Sequence, residues 1–354
     1  VARVVLYAMV PCFYASVERA LSPELAERPV IVGGDPRKRG LVQAATPDAL
    51  AAGVRTEMSV VEALERCPRA RAVRTNMARY REASRRLLAC LRQELEKLEA
   101  AGLGAAYADA SARPEGADAI AAGCVMRVRQ ELGLPLQVGI ARTKLLARLA
   151  AEEAGEGVRR VLPAAEAAFL DPLPVTRLDG VGHKTASTLA EHGAHTIGAV
   201  AGLGRERLEA LFGSHGARIH ASATGAEDAP VRATRHPQSL SREATLRAES
   251  LDREALVEQL QPLARQLEAE LRAQALTARR VTLKLRHADL PPTTRSQALA
   301  TPVDSAAEIH AVAQHLLGRA QAPIGALRGV GIQLTRLAPA RETGRQLDLF
   351  ASRR

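Results

Sequence analysis

The chain has 354 residues, is 47% hydrophobic and carries a formal net charge of +10, from 49 Lys plus Arg against 39 Asp plus Glu. That apolar content excludes a disordered chain, and the length suits about two or three domains. The positive balance favours a polyanionic partner, nucleic acid rather than membrane, because no apolar run of about 18 residues and no aromatic-rich amphipathic anchor is present.

In chain order, Val4–Met9 is a short apolar run rich in β-branched residues and reads as a buried strand. Pro11 breaks it, and Cys12–Glu18 resumes with helical spacing. The strand end, Ala8-Met9-Val10-Pro11, offers no oxygen ligand to a hard cation. Pro29–Gly34 reads as a strand, Asp35–Gly40 as a basic hairpin loop and Leu41–Ala45 as the return strand. Ser59–Cys67 is a helix stopped by Pro68. Asn76–Glu99 reads as one long amphipathic helix, with Tyr80, Leu87, Leu88, Leu91, Leu95 and Leu98 near helical spacing. Gly104–Ala110 is a small-residue strand, Ala117–Leu132 a helix, Leu136–Ile140 a strand and Lys144–Glu153 a helix. Such alternation predicts an α/β or α+β core over the first 160 or so residues. The four cysteines, Cys12, Cys67, Cys90 and Cys124, lack metal-ligand spacing and read as reduced thiols of a cytoplasmic protein. Aromatic residues are 2% with no Trp, which argues against a base-stacking platform.

The next stretch changes character. Leu178–Gly193 is a turn with Gly180 and Gly182 opening a helix, followed by helical units at Thr196–Leu203 and Arg205–Leu211. The Gly-Val-Gly turn can aim helix N-terminal N–H groups at a phosphate, with Lys184 adding charge; an ordinary helix–helix turn is the plain alternative. Ala226–Gln238 reads as a basic linker. Beyond it, a strand (Ser239–Arg247), a helix N-capped by Asp252 (to Ala273), two strands (Arg279–Arg286 and Thr293–Ala300), a helix (Ser305–Arg319) and a strand (Leu327–Thr335) spell βαββαβ. Arg279–Arg286 alternates Val281, Leu283 and Leu285 against Arg280, Thr282, Lys284 and Arg286. With Arg242 and Arg295 on neighbouring strands, this predicts a basic sheet face contacting phosphates, the alternative being a solvated face. In the tail, the apolar residues of Gln346-Leu347-Asp348-Leu349-Phe350 are costly to leave exposed and are expected to dock in a partner.

Taken together, these segments resemble the Y-family, lesion-bypass DNA polymerases of the DinB and UmuC kind. Cys12–Glu18 resembles the family's first motif; Ala52–Arg55, Met58 and Cys67-Pro68 resemble its fingers; Ala105–Asp109 lies where the family has Ser-Leu-Asp-Glu-Ala-Tyr-Leu-Asp; Val138–Ala141 with Lys144–Ala147 resembles its S-x-G-x-A-x-x-K-x-x-A block. Leu178–Gly182 resembles the helix-hairpin-helix turn of the thumb, and the tail resembles the Q-L-x-L-F peptide that binds the bacterial sliding clamp. The resemblance implies an α+β right hand: a palm (1–23 and 77–163), fingers (24–76), a thumb (164–232), a βαββαβ little finger (233–338) and a tail (339–354).

The resemblance also implies two Mg²⁺ ions held by an Asp and an Asp-Glu pair, and here those positions read as Met9, Ala105 and Ala106. The triphosphate-binding Tyr and Arg fall on Pro47 and Leu50, and the later Lys falls within 154–157, which has none. Tyr14 keeps the sugar-discriminating aromatic. The expectation is a polymerase homologue without metal or nucleotide, similar to the inactive mutasome subunit ImuB. It would bind primer–template DNA through Gly180, Gly182, Lys184, Arg242, Arg280, Lys284, Arg286 and Arg295. It would bind the sliding clamp through Gln346, Leu347, Asp348, Leu349 and Phe350, and would bring in an active translesion polymerase. The alternatives are an active DinB-like polymerase with relocated ligands and a clamp-independent DNA-binding protein.

Overall fold

A computed structural model describes residues 3–114, 116–155, 157–226, 229–232, 237–246, 253–287, 291–319 and 327–340. It divides into two compact units, Val1–Arg235 and His236–Arg354. The first unit begins with β1 (Val5–Met9), α1 (Phe13–Leu21), β2 (Val30–Gly33), β3 (Val42–Ala45), α2 (Pro47–Ala51), α3 (Val60–Arg66) and β4 (Arg71–Arg74). It continues with α4 (Met77–Leu91), β5 (Leu98–Ala100), β6 (Ala105–Asp109), α5 (Ala117–Leu132), β7 (Gln137–Ala141), α6 (Lys144–Glu152) and β8 (Gly157–Arg160). It closes with the helices α7 (Glu166–Leu170), α8 (His183–Glu191), α9 (Ile197–Leu203), α10 (Arg205–Phe212) and α11 (Ser214–Ala223).

A five-stranded sheet of order β5-β6-β1-β7-β8 is its centre, with β1 antiparallel to both neighbours. Because successive side chains alternate, Leu6, Ala8, Ala106 and Ala108 enter one core with Tyr80 and Leu87 of α4 and Cys124 and Val128 of α5. Val5, Tyr7, Ala105 and Ala141 enter the other, built from Leu145, Leu146 and Leu149 of α6 and from Leu189, Ile197, Leu208 and Ile219 of the helical segment. A three-stranded sheet, β3-β2-β4, has a small core of its own with Ile31, Val42, Val54 and Val60. Side-chain oxygens start several helices: Ser59 accepts from the Glu62 N–H, Thr143 from Leu146 and Thr196 from Ala199.

The second unit holds β9 (Ser239–Thr245), α12 (Arg253–Ala273), β10 (Leu276–His287), β11 (Thr293–Val303), α13 (Ala306–Gly318) and β12 (Leu327–Pro339). Its sheet has the order β11-β10-β12-β9, all antiparallel. Val281, Leu283 and Leu285 of β10 are buried against Leu260, Leu267 and Leu271 of α12 and Ile309 and Leu316 of α13. The expected βαββαβ unit, with both helices on one face, is therefore present. Asp252, the expected N-cap of α12, lies outside the described residues.

The expected helix over Asn76–Glu99 is corrected: α4 ends at Leu91, and Leu98 and Glu99 belong to β5, opposite Ala108 and Tyr107. Leu95 and Leu98 keep helical spacing, yet sheet pairing with β6 and burial of Leu98 outweigh that local preference. The strands β4 and β8, RAVR and GVRR, were not legible because each lies at a sheet edge and carries exposed arginines where alternation would be sought.

Gly139 on β7 marks the closest approach of the sheet to α6. A Cβ there would sit 1.9 Å from the Ala147 carbonyl oxygen and 2.4 Å from the Ala151 nitrogen. Backbone atoms cannot move aside cheaply, so Gly139→Ala is expected to destabilise the first unit by about 2 kcal/mol or more. Gly182→Ala, with nothing within 4 Å of the added carbon, should stay within about 0.5 kcal/mol of the parent. Denaturant titration of the two variants checks both; a tolerated Gly139→Ala would contradict the packing described.

Candidate active site and nucleic-acid interface

At one end of the central sheet, β1 and β6 pair in the register Met9↔Ala105 and Ala8↔Ala106. Directly opposed residues project to the same side, so Met9 and Ala105 lie next to each other on the α6 side of the sheet. Ala106 does not join them. It turns with Ala8 into the core beneath α4 and α5, 1% exposed. Strand alternation thus corrects the expectation that grouped Met9, Ala105 and Ala106. Counted back from Tyr107 and Asp109, the Ser-Leu-Asp-Glu-Ala-Tyr-Leu-Asp pattern places its Asp and Glu on Gly104 and Ala105 instead. Gly104 is held beside the strand end by its carbonyl, which accepts from the Val10 N–H at 2.8 Å. The Phe13 ring fills the space a side chain would need, its Cγ 2.6 Å from a Cβ built at Gly104.

The groups at this rim are a thioether, a methyl and a bare glycine. None supplies the oxygen that Mg²⁺ requires, so the residues present do not fit a two-metal centre. Among the described residues, no group of three or more His, Cys, Asp or Glu is disposed to hold a metal ion. The nearby carboxylates are otherwise engaged. Asp109 lies four residues further along β6, about 13 Å away, and accepts from the Ser111 N–H at 3.0 Å and the Ser111 hydroxyl at 2.6 Å. Partial burial opposes ionisation of Asp109, but those two hydrogen bonds, with Arg3 and Lys97, hold its carboxyl below the ordinary range. Glu99, 6% exposed, is bound by the Lys144 ammonium at 2.5 Å and the Arg232 N–H at 2.7 Å, and Lys144 also lies over the Tyr107 ring. Glu18, 1% exposed, accepts from the Tyr80 hydroxyl at 2.7 Å and from Arg79 at 2.5 Å. Burial, and then the Glu18 carboxylate, push the Tyr80 phenol above its usual range.

Beside the rim, a cleft of about 410 Å³ is lined by Cys12, Phe13, Tyr14, Gln43, Ala44, Ala45, Leu50, Thr56, Leu103 and Gly104. Among the described residues, no charged side chain lines it. Tyr14 is half-buried at its wall and stacks on Tyr80, ring centroids 4.4 Å apart, so it serves both cleft and core. Leu50 borders the same cleft. Pro47 does not; it opens α2 and, with Pro11, faces a separate cavity of about 660 Å³ whose cations are Arg19 and Arg129. Arg19 is bound to Asp48 at 2.6 Å.

The expected turn at Gly180 and Gly182, opening a helix, is formed. Gly180 has φ +82° and its carbonyl is met by the His215 Nε2 at 3.1 Å. Gly182 caps α8 in an extended conformation. The first intrahelical bond is Ala186 N–H to the Gly182 carbonyl, so the preceding N–H groups point out of the helix beside exposed Lys184. On the second unit, Arg280, Lys284 and Arg286 share the face of β10 away from the helices, with Thr282, whose hydroxyl meets Ser296 at 2.8 Å. Opposite Arg286 and Lys284 stand Gly329 and Gly331 of β12. A Cβ at Gly329 would meet the Arg286 guanidinium at 2.8 Å, so glycine lets that cation lie across the sheet.

Two predicted members leave this face. Arg242 shares parity with buried Leu240 and bonds Glu270 of α12 at 2.5 Å. Arg295 is directly opposite Leu283 and therefore projects to the helix side of the edge strand. The sequence reading missed Glu243, which stands on the basic face and binds Lys284 at 3.1 Å; only the register of β9 against β12 reveals it. Gln346, Leu347, Asp348, Leu349 and Phe350 lie outside the described residues.

The impB/mucB/samB family profile matches residues 9–152, and the profile of that family's C-terminal domain matches residues 237–349. The chain belongs to the Y-family of DNA polymerases. It is similar to DNA polymerase IV of Halorhodospira halophila, 34% identical over 99% of each chain. It is also similar to DNA polymerase IV 1 of Bacillus subtilis, 33% identical over 99% of this chain and 86% of that protein. Among solved structures, a Y-family DNA polymerase chimera of Dbh superposes with a TM-score of 0.81 at 22% identity, covering 95% of this chain and 99% of the other. DinB from Sulfolobus solfataricus superposes at 0.67 and 21% identity, covering 94% and 98%. The Y-family fold, a catalytic core followed by a little finger, is thus the fold of this chain. Among the described residues, no helix is long and apolar enough to cross a membrane.

Proposed function

We propose that this Y-family homologue grips DNA without extending it, and that it acts as an adaptor in translesion synthesis. The observation that carries this reading is the rim formed by Met9, Gly104 and Ala105, where no side chain offers an oxygen to a hard cation. The uncharged cleft beside it supports the reading, since a triphosphate needs cations and this lining has none. On this reading the palm comprises residues 1–23 and 77–163, the fingers 24–76, the thumb 164–232, the little finger 233–338 and the tail 339–354. The α8 N-terminus with Lys184, and the β10 face with Arg280, Lys284 and Arg286, hold the phosphates of primer–template DNA. Gln346–Phe350 docks in the sliding clamp and brings an active translesion polymerase to the fork. The second reading is an active DinB-like polymerase, favoured by the likeness to DNA polymerase IV over nearly the whole chain.

Primer extension separates the two. With Mg²⁺ or Mn²⁺ the purified chain is expected to add no nucleotide above a no-enzyme control, and calorimetry should detect no micromolar binding of a deoxynucleoside triphosphate. Incorporation at the rate of a DNA polymerase IV control would establish the second reading instead.

DNA affinity should fall linearly in log K against log salt. Replacing Arg280, Lys284 and Arg286 together by Ser should reduce the slope by roughly 2 to 3, and Lys184→Ala by about 1. A slope unchanged by either substitution would remove these residues from the interface.

Truncation after Arg345 should abolish binding to an immobilised sliding clamp while leaving DNA affinity intact. Equal clamp binding by the truncated chain would favour a clamp-independent DNA-binding protein.

A further inference from the structure

Among the described residues, the strand β4 is an edge: it pairs with β2, in parallel, and with no other strand. Its inner side is satisfied, the Arg71 N–H donating to the Pro29 carbonyl at 2.8 Å and the Thr75 N–H to the Gly33 carbonyl at 3.0 Å. By strand alternation, the N–H and C=O of Ala72 and Arg74 point the other way, away from β2. A cavity of about 580 Å³ is bordered by Arg71–Arg74 of this strand and by Glu18, Ser22 and Leu25 of the α1 segment. Arg28, Arg71, Arg74 and Arg79 are among its lining residues, Arg71 and Arg74 projecting to opposite faces of the strand. Arg79 is neutralised by Glu18, which Tyr80 also holds. Arg28, Arg71 and Arg74 are exposed, and their side chains make no ion pair or hydrogen bond with the described residues. Glu24 is the remaining acid in the lining.

Unpaired strand edges invite pairing, and charges beside an edge often serve to deter it. Deterrence needs charge but no concavity: arginines of one sign repel a second copy of this chain yet leave the edge open to a strand of opposite charge. Here the charge is of one sign, the edge is recessed in a cavity, and the backbone groups are presented between the arginines. We propose that β4 is a docking edge for an extended acidic peptide segment of a partner protein. The segment adds as a fourth strand to the β3-β2-β4 sheet, with carboxylates meeting Arg28, Arg71 and Arg74. Backbone pairing supplies the grip, and guanidinium–carboxylate forks select the sequence. A nucleic-acid strand would use the same cations but cannot complete the backbone ladder, so it is the competing occupant that the test separates.

The test uses the full chain and a fluorescein-labelled peptide, Glu-Val-Glu-Val-Glu-Val-Glu, read by anisotropy. A peptide with Lys in place of Glu and a 20-nucleotide single-stranded DNA serve as comparisons. The acidic peptide is expected to bind and the lysine peptide not. The combined substitution Arg28→Ser, Arg71→Ser and Arg74→Ser should weaken peptide binding about tenfold or more, with single-strand DNA affinity little changed. Hydrogen exchange on the unsubstituted chain supplies the backbone readout: saturating peptide should slow exchange at the Ala72 and Arg74 amides. Failure of the peptide to bind, or binding without slowed exchange at those amides, overturns the docking edge. So does a triple variant that loses DNA affinity but keeps peptide affinity, which would assign the cavity to phosphodiesters.

Discussion

Pairing β1 between β6 and β7 forces Met9 and Ala105 side by side at one rim of the central sheet, on the face covered by α6. In a fold of this kind that rim is where the backbone can bring oxygen donors from two strands together. Clustered carboxylates at such a rim repel one another and resist ionisation until a cation joins them. A rim of thioether, hydrogen and methyl has no such repulsion, and Phe13 packs against the bare Gly104 backbone in its place. The polymerase framework is retained while the rim side chains are of a kind that stabilises packing rather than charge. A side chain at position 104 would first have to displace the Phe13 ring, so the local packing is fitted to glycine and not merely compatible with it.

Gripping nucleic acid places quite different demands on a protein. Phosphate contacts need a positive surface and donor groups, and they tolerate ångström-scale drift, because a diffuse field does much of the work. The N-terminal turn of α8 offers both through free N–H groups and Lys184. The open face of β10 offers Arg280, Lys284 and Arg286 over a row of glycines on β12. Neither surface depends on the composition of the rim. A chain can therefore keep its hold on DNA while its chemistry lapses, and that asymmetry underlies the proposed adaptor role. The Glu243–Lys284 pair tempers the field on β10, leaving Arg280 and Arg286 as the stronger contributors.

Much of this architecture was legible in the sequence, because most elements declare themselves locally. The helices read from Ser59, Lys144, Thr196 and Ser305 start there in the structure, where Ser59, Thr143, Thr196 and Ser305 accept the capping hydrogen bonds. The alternation of Arg279–Arg286 fixed the two faces of β10 correctly. What the sequence could not supply was register. Ala106, Arg242 and Arg295 were each assigned to a surface they do not share, because a residue's face depends on which partner strand it meets and with what offset. The same dependence hid β5, whose Leu98 keeps a helical spacing with Leu95, and β4, whose role as an edge exists only once β2 is beside it. The uncharged cleft was partly legible, since Leu50 stood where a cation was sought; that Pro47 faces a different cavity was not.

The residues that packing dictates are of the kinds packing requires. Gly139 admits the α6 backbone at a distance no other side chain would allow. Glu18, buried to 1% exposure, is held by both Tyr80 and Arg79, and Tyr80 in turn supports Tyr14. A buried carboxylate without those partners would cost several kcal/mol, so this network cannot lose a member piecemeal. At the rim Gly104 is fixed by the Phe13 ring and Ala105 by the α6-side core, whereas Met9 lies at that core's margin and could exchange for another apolar group with little effect. Identity is therefore tightly determined where removing a group strands a buried partner, and weakly determined where only bound cations would have demanded it. On the proposed reading, release from that single demand is sufficient to account for a chain that matches its relatives over nearly its whole length while its rim holds a thioether, a methyl and a bare glycine.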